Sequence, residues 1–444
     1  MTTITAYRTI QIDEIFANAK NSTMDYNMEM KRAQYINHLM EQRRNGFIKV
    51  ITGLRRVGKS YILNKLFYRY LINEGFSNDH IIQVELDRRE NKELRNPDRL
   101  YGHILSKMID QNEYIVLLDE IQLVPEFPDI LNSLLHYDNL DIYATGSNSR
   151  FLSSDIVTEF RGRSREIHIL PLTWTEFLEA YQGDESKAWE EYYTYGGLPQ
   201  VVLASTRNEK ADILDELYRL VYIKDIVERN NIKDPENLSE LISVLSSQTG
   251  SLTNTAKLAN TFSSLKKAKL SEGTINRYIS HLEDAFLISK AERYDIKGKK
   301  YIGALRKYYF EDTGLRNVRL GFTQTEINHL MESIVFNELR YRGFSIRVGV
   351  IEQNYTNEKG SRAKKQLEID FYATRHDRSF YIQCTLSLKD AGKRLQEERP
   401  FMLIRDSFRK IIIVEENVIP HNDENGIFII GIKDFLSNKD ILEY

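Results

Sequence analysis

The octapeptide Gly53-Leu54-Arg55-Arg56-Val57-Gly58-Lys59-Ser60 satisfies the spacing G-x-x-x-x-G-K-[ST] at every constrained position. Each residue type has a task in holding a phosphate chain. Gly53 and Gly58 allow the backbone to turn so that N–H groups from Leu54 to Val57 point at phosphate oxygens. A helix opening at Lys59, Ser60 and Tyr61 directs its positive end at the same oxygens. Lys59 reaches the β and γ phosphates as a mobile cation, and the Ser60 hydroxyl is a ligand for Mg²⁺. The expected ligand is therefore ATP with Mg²⁺.

A second cluster supplies the chemistry that such a loop lacks. Tyr114–Leu118 is an apolar run that ends in Asp119-Glu120. Two carboxylates at the carboxyl end of a buried parallel strand suit a metal-holding acid, Asp119, and an acid that orients and activates water, Glu120. Further on, Ile142-Tyr143-Ala144 runs into Thr145-Gly146-Ser147-Asn148. Ser147 and Asn148 are the candidates there for touching the γ-phosphate or the attacking water. Arg161 and Arg163, in Arg161-Gly162-Arg163, are candidates for stabilising transition-state charge, in cis or from a neighbouring subunit.

These residues need strands and helices to place them. The pattern predicts strands at 47–52, 80–86, 114–118, 141–144 and 166–170. Helical patterns lie between them, including one over 59–74, which implies a parallel sheet covered on both faces. From 174 to 245 the pattern is helical, with Trp174, Phe177, Leu178 and Tyr181 at one-face spacing, interrupted at Gly196-Gly197-Leu198-Pro199. Residues 251–310 carry 12 Lys or Arg against 5 Asp or Glu, a local net of +7. Two helices are expected there, at 255–262 and 271–286, then a hairpin at Lys297–Lys300. Beyond 321 come a helix at 326–341 and strands at 345–351, 367–373, 380–386, 410–414 and 426–432, the signature of a mixed-sheet α/β domain.

Composition narrows the class without naming a function. The chain has 444 residues and a formal charge of −3, so a globally basic nucleic-acid binder is excluded while a local basic face is not. With 41% hydrophobic residues there is apolar surface enough for folded cores. Cys384 is the single cysteine, which excludes a disulfide framework and a cysteine-built metal site. Apolar runs are far short of the roughly 20 residues of a spanning helix, and Met1–Glu14 has no signal-peptide core. The expectation is a cytoplasmic protein with no membrane segment.

Taken together, GLRRVGKS at 53–60, YIVLLDEIQ at 114–122, ATGSNS at 144–149 and RGR…LPLTWTEF at 161–177 resemble an AAA-type P-loop ATPase. YTYGGLP at 193–199 and the C-terminal pattern narrow the resemblance to a prokaryotic group. In that group the ATPase is followed by a winged helix and a restriction-endonuclease-like fold. The likeness covers residues 40–440. It implies an α/β P-loop fold with an additional strand, at 142–144, between the phosphate-loop strand and the Asp-Glu strand. It also implies ring assembly, with Arg161 or Arg163 reaching a neighbour's γ-phosphate. The implied division is an N-terminal extension (1–46), ATPase core (47–173), helical lid (174–250), winged helix (251–318) and nuclease-like domain (319–444).

In the winged helix, Asn276, Arg277 and His281 would face DNA, and Ile275, Tyr278, Ile279 and Leu282 the core. In the nuclease-like domain Asp370 would take the metal-binding acid's place, near Glu332, Glu338 and Glu368. The following strand offers Gln383 and Thr385 where the pattern wants an acid and a lysine, so that centre is expected to be inactive. Three functions remain: an ATP hydrolase driving DNA- or protein-binding modules, a nucleotide-gated DNA-binding or defence protein with little turnover, and an ATP-coupled nuclease. The expected partners are ATP, DNA through 251–310, a protein partner and further copies of the chain.

Overall fold

Every residue of Ile48–Gly53 is buried, as is every residue of Tyr114–Asp119, which is the condition of strands covered on both faces. The computed structural model describes residues 30–146, 160, 162–266, 270–324, 326–356 and 362–442. Contacts divide the chain into two units.

The first unit runs to Leu170 and takes in 284–286. It opens with α1 (Ala33–Glu41) and β1 (Ile48–Gly53). Helix α2 begins at Lys59–Tyr61, passes through a π-helical stretch at Ile62–Phe67 and closes at Tyr68–Asn73. Then come β2 (Ile81–Glu85), α3 (Pro97–Lys107), β3 (Tyr114–Asp119), α4 (Phe127–Leu134), β4 (Leu140–Thr145) and β5 (Ser164–Ile169). The sheet order is β2-β3-β4-β1-β5, parallel throughout. Strand β4 thus lies between β1 and β3, the additional strand that the resemblance implies. Parallel pairing brings the carboxyl ends of β1, β3 and β4 together, and the site is built there.

The second unit begins at Pro171. Its helices are α5 (Trp174–Ala180), α6 (Ala188–Tyr195), α7 (Pro199–Val202), α8 (Arg207–Glu216), α9 (Lys224–Arg229), α10 (Pro235–Ser247), α11 (Thr255–Lys266) and α12 (Glu272–Asp284). A Thr173/Glu176 capping box starts α5, whose buried residues are Trp174, Phe177 and Ala180. Leu178, expected on that buried face, is instead 40% exposed.

A hairpin of β6 (Ile288–Asp295) and β7 (Lys300–Phe310) follows, then α13 (Thr313–Arg319), α14 (Ile327–Tyr341), β8 (Ser345–Thr356), β9 (Arg362–Arg375) and β10 (Arg378–Thr385). The chain continues with α15 (Ala391–Met402), β11 (Arg409–Val414), β12 (His421–Asn422), β13 (Phe428–Gly431) and α16 (Ile432–Ser437). All eight strands form one mixed sheet, ordered β12-β13-β11-β10-β9-β8-β6-β7. The hairpin that the resemblance assigns to a winged helix is therefore hydrogen-bonded to β8, in the sheet of the C-terminal region. Helix α15 has no counterpart in the sequence expectation.

The YGGLP segment acquires a structural reason in this unit. Asp312 caps α13 through Leu315 N–H at 3.0 Å and accepts Gly197 N–H at 2.8 Å. A Cβ on Gly196, which has φ +78, would stand 2.3 Å from Asp312 Oδ1. Only glycine lets the backbone approach that closely.

Candidate functional site

The loop between β1 and α2 keeps Leu54 and Val57 buried and turns Arg55 and Arg56 outward. Gly53 ends β1 at φ +139, and a Cβ there would lie 2.3 Å from the Ile169 carbonyl oxygen, so the loop is seated against β5 by absence of a side chain. Lys59 is 5% exposed, and its Nζ donates to the carbonyls of Gly53 and Leu54, both at 3.0 Å. Its ammonium is thus held inside the curl of the loop, where a phosphate-binding cation must be. Tyr61 is exposed on the first turn.

Asp119 stands across from the loop. Ser60 Oγ donates to its Oδ1 at 3.1 Å, Asn64 Nδ2 donates to its Oδ2 at 3.1 Å, and Thr145 Oγ1 also donates to Oδ1. All three donors are neutral. Burial pushes the Asp119 carboxyl above its ordinary value, against the pull of the Thr145 and Ser60 hydrogen bonds. A buried carboxylate held by neutral donors, 3.1 Å from a hydroxyl that is itself a hard oxygen ligand, suits a divalent cation. Ser60 and Asp119 accordingly fit Mg²⁺.

Glu120 follows with φ +55. Its N–H donates to Thr145 Oγ1 at 3.0 Å, and its carboxylate accepts from Gln122 Nε2. One hydroxyl, that of Thr145, therefore links the Asp119 carboxylate to the backbone of Glu120.

Two of these residues escape the sequence reading. Thr145 sits inside the polar stretch that points to Ser147 and Asn148, but the last residue of β4 is the one that reaches Asp119. Asn64 is the one uncharged polar residue in the run Ile62–Phe67 and lies one helical turn after Ser60, which places it on the same face. Its carbonyl, within the π-helical stretch, accepts from Gln83 Nε2 at 3.3 Å.

Ser147, Asn148 and Arg161 lie outside the described residues. Arg163 is exposed at the start of β5, and its carbonyl accepts Ile48 N–H at 2.9 Å. This is the amino end of β1, six residues and about 20 Å from the phosphate loop. Within one chain Arg163 is therefore not brought to the loop.

In the second unit, Ile275, Tyr278, Ile279 and Leu282 are buried on α12, while Asn276 and Arg277 face outward and His281 is partly buried. Lys297, Lys299 and Lys300 are exposed on the β6–β7 turn. Asp370 Oδ2 accepts Cys384 N–H at 2.9 Å, and Gln383 Oε1 accepts Asp370 N–H at 3.3 Å. Thr385 is buried at the end of β10. Glu338 is engaged by Arg342 at 2.7 Å and lends nothing to that cluster. Burial holds the Cys384 thiol far above its ordinary value, which keeps it a packing group. No helix among the described residues is long and apolar enough to cross a membrane.

The parallel sheet, the phosphate loop on its carboxyl edge and the Asp-Glu pair define an AAA-type nucleotide-binding fold. Residues 45–178 match the AAA domain family, and residues 186–326 match a domain of unknown function (DUF8612). The chain is 34% identical over 414 residues to an uncharacterized protein of Haemophilus influenzae, covering 92% of this chain and 98% of that one. It is 30% identical over 413 residues to the uncharacterized protein MJ1544 of Methanocaldococcus jannaschii, covering 90% and 88%. The chain belongs to the family that these two proteins represent, and its residues 45–178 carry an AAA domain.

Among solved structures, it is similar to Cdc6p of Pyrobaculum aerophilum, with 13% identity, 70% of this chain and 97% of that chain covered, and a TM-score of 0.28. It is also similar to the ORC2 protein of Aeropyrum pernix in its ADP form, with 12% identity, 71% and 97% covered, and a TM-score of 0.36.

Proposed function

We propose that this protein is an ATP hydrolase whose nucleotide state drives the DNA- or protein-binding surfaces of its second unit. The observation that carries the reading is the buried Asp119 held by neutral donors and facing Ser60 and the Lys59 loop. Backbone N–H groups of residues 54–60 would bind the β and γ phosphates, and Lys59 would exchange its carbonyl partners for phosphate oxygens. Mg²⁺ held by Ser60 and Asp119 would neutralise phosphate charge. Glu120, with its backbone fixed by Thr145, would orient the attacking water and take its proton. Arg163 would act only from a neighbouring copy.

The test compares phosphate release by the wild type with Lys59→Ala and Glu120→Gln. Lys59→Ala should lose ATP binding. Glu120→Gln should bind ATP and fail to turn it over. Equal phosphate release by all three would overturn the reading.

A second reading, nucleotide-gated DNA binding, is favoured by the outward Asn276 and Arg277 of α12 beside a local net charge of +7. Phosphate contacts make such binding fall steeply with salt. A gel shift that shows no complex at low salt, with or without ATP, would remove it.

A further inference from the structure

The β6–β7 hairpin pairs with β8 along Glu292–Asp295 and carries a bulge between Glu292 and Tyr294. Beyond that point β7 runs against α14. Tyr309 stacks on Phe336 at 4.3 Å, Asn337 Nδ2 donates to the carbonyls of Phe310 and Glu311 at 3.0 and 3.1 Å, and Arg340 pairs with Glu311 at 2.8 Å. This course carries Lys307 into the protein. Its Nζ lies 2.7 Å from Glu332 Oε1, 2.8 Å from Glu368 Oε1 and 3.3 Å from Asp370 Oδ1, with the lysine side chain 3% exposed.

Two of the carboxylates have a further donor. Tyr309 OH donates to Glu332 Oε1 at 2.6 Å, and Cys384 N–H donates to Asp370 Oδ2. Gly250 sits over Glu332, where a Cβ would come within 3.2 Å of Oε2. Glu368, one-third exposed, is the member of the three with most access to water.

We infer that Lys307 is a resident cation, tethered by its own strand in the place where Glu332, Glu368 and Asp370 would otherwise hold a divalent metal ion. The cluster is then a fixed internal tie between the hairpin and the C-terminal sheet, and not a metal-dependent hydrolytic centre. The oxygens stand 2.7–3.3 Å from the ammonium, the spacing of charge-assisted hydrogen bonds to a lysine. The carboxylates of Glu332, Asp370 and Glu368 face the buried ammonium and compensate its charge. Without the lysine, the three clustered carboxylates would need protons or a cation.

The test uses the full chain without nucleotide in an Asp119→Asn background, which silences the phosphate-loop metal site. Ca²⁺ is titrated by calorimetry and by its effect on Tm. Asp119→Asn should bind no Ca²⁺ up to millimolar concentration. Adding Lys307→Ala should create one Ca²⁺ equivalent and a rise in Tm with Ca²⁺, both lost again on adding Asp370→Asn. If Lys307→Ala does not fold in buffer, Ca²⁺ or the added change Glu332→Gln should restore cooperative unfolding. Ca²⁺ binding by Asp119→Asn that depends on Asp370 would overturn the inference. A folded Lys307→Ala variant that binds none, or an unfolded one rescued by neither route, would do the same.

Discussion

Asp312 Oδ2 accepts the backbone N–H of Gly197 at 2.8 Å across 115 residues of chain. The bond ties the glycine pair after α6 to the start of α13. Removing the carboxylate leaves at least two buried N–H groups, those of Gly197 and Leu315, without an acceptor. At about 1–3 kcal/mol for each orphaned donor, Asp312→Ala should destabilise the second unit by roughly 2–6 kcal/mol. Asp312→Asn keeps one oxygen and should cost about half as much. Trp174 and Trp189, both in this unit, are the two tryptophans of the chain, so urea unfolding followed by tryptophan fluorescence reports it directly. An Asp312→Ala midpoint equal to the wild type would show the tie to be idle.

The same residue makes stability depend on pH in an unusual direction. Burial raises Asp312 from 3.8 to about 6, despite the backbone N–H groups it accepts. Burial likewise raises Glu332 from 4.5 to about 7, against the opposing charge of Lys307. A carboxyl raised in the folded state binds its proton more tightly there than in the unfolded chain. Its stabilising share is full below the unfolded value and is lost as pH rises through the folded value. Each tenfold gain in proton affinity on folding is worth about 1.4 kcal/mol, so the two groups together should remove several kcal/mol between about pH 4 and pH 8. Lys307, raised instead, contributes evenly across this window and loses its share only at alkaline pH. Urea midpoints at pH 5, 6.5 and 8 should therefore fall in that order, and Asp312→Asn should flatten the lower half of the trend. A midpoint that climbs from pH 5 to 8 would contradict the assignment.

Residues whose tasks are local were open to reading from the chain alone. Gly53, Gly58, Lys59 and Ser60 fall within eight positions between a strand and a helix, and Asp119-Glu120 closes an apolar strand. The place of the additional strand at 142–144 came from the resemblance and not from the residues themselves, and the sheet order agrees with it. What escaped depends on partners distant in sequence. Thr145 matters because parallel pairing of β3 and β4 sets it beside Asp119, and Lys307 because the edge strand β7, still paired with β6, turns it toward Glu332 of α14 and Asp370 of β9. Leu178 looked internal because periodicity marks a face but not its cover. Arg163 carried the right chemistry, while only the parallel register of β5 on β1 shows that it starts at the far edge of the sheet.

Thr145 links the two acids of the nucleotide site, so Thr145→Val, nearly isosteric, separates positioning from binding. The valine neither donates to Asp119 nor accepts from the Glu120 N–H. Nucleotide affinity should stay within about threefold, because the phosphate loop is untouched. The turnover number should fall roughly 10- to 100-fold, the scale at which small misplacements of catalytic groups are felt. Single-turnover hydrolysis beside fluorescent-nucleotide binding separates the two quantities. A proportional loss of both would mean that the hydroxyl serves the fold and not the reaction.

Asn64 acts on the same carboxylate from the other side, and its effect should be seen in metal dependence. Its amide donates to Asp119 Oδ2, the oxygen that Ser60 and Thr145 do not engage. Burial already raises the Asp119 carboxyl, so protons compete with Mg²⁺ there. Asn64→Leu removes the donor and adds apolar surface, which should raise that carboxyl further and let it rotate. Loss of a partner behind a metal ligand typically weakens metal binding by about 10- to 100-fold. The Mg²⁺ concentration for half-maximal ATP hydrolysis should thus rise about tenfold at neutral pH. The rise should be larger at pH 6, where the proton competes better, and smaller at pH 8. Turnover at saturating Mg²⁺ should remain near the wild-type value, since neither Lys59 nor Glu120 is disturbed. An unchanged Mg²⁺ requirement across this range would leave the π-helical turn of α2 with a packing role alone.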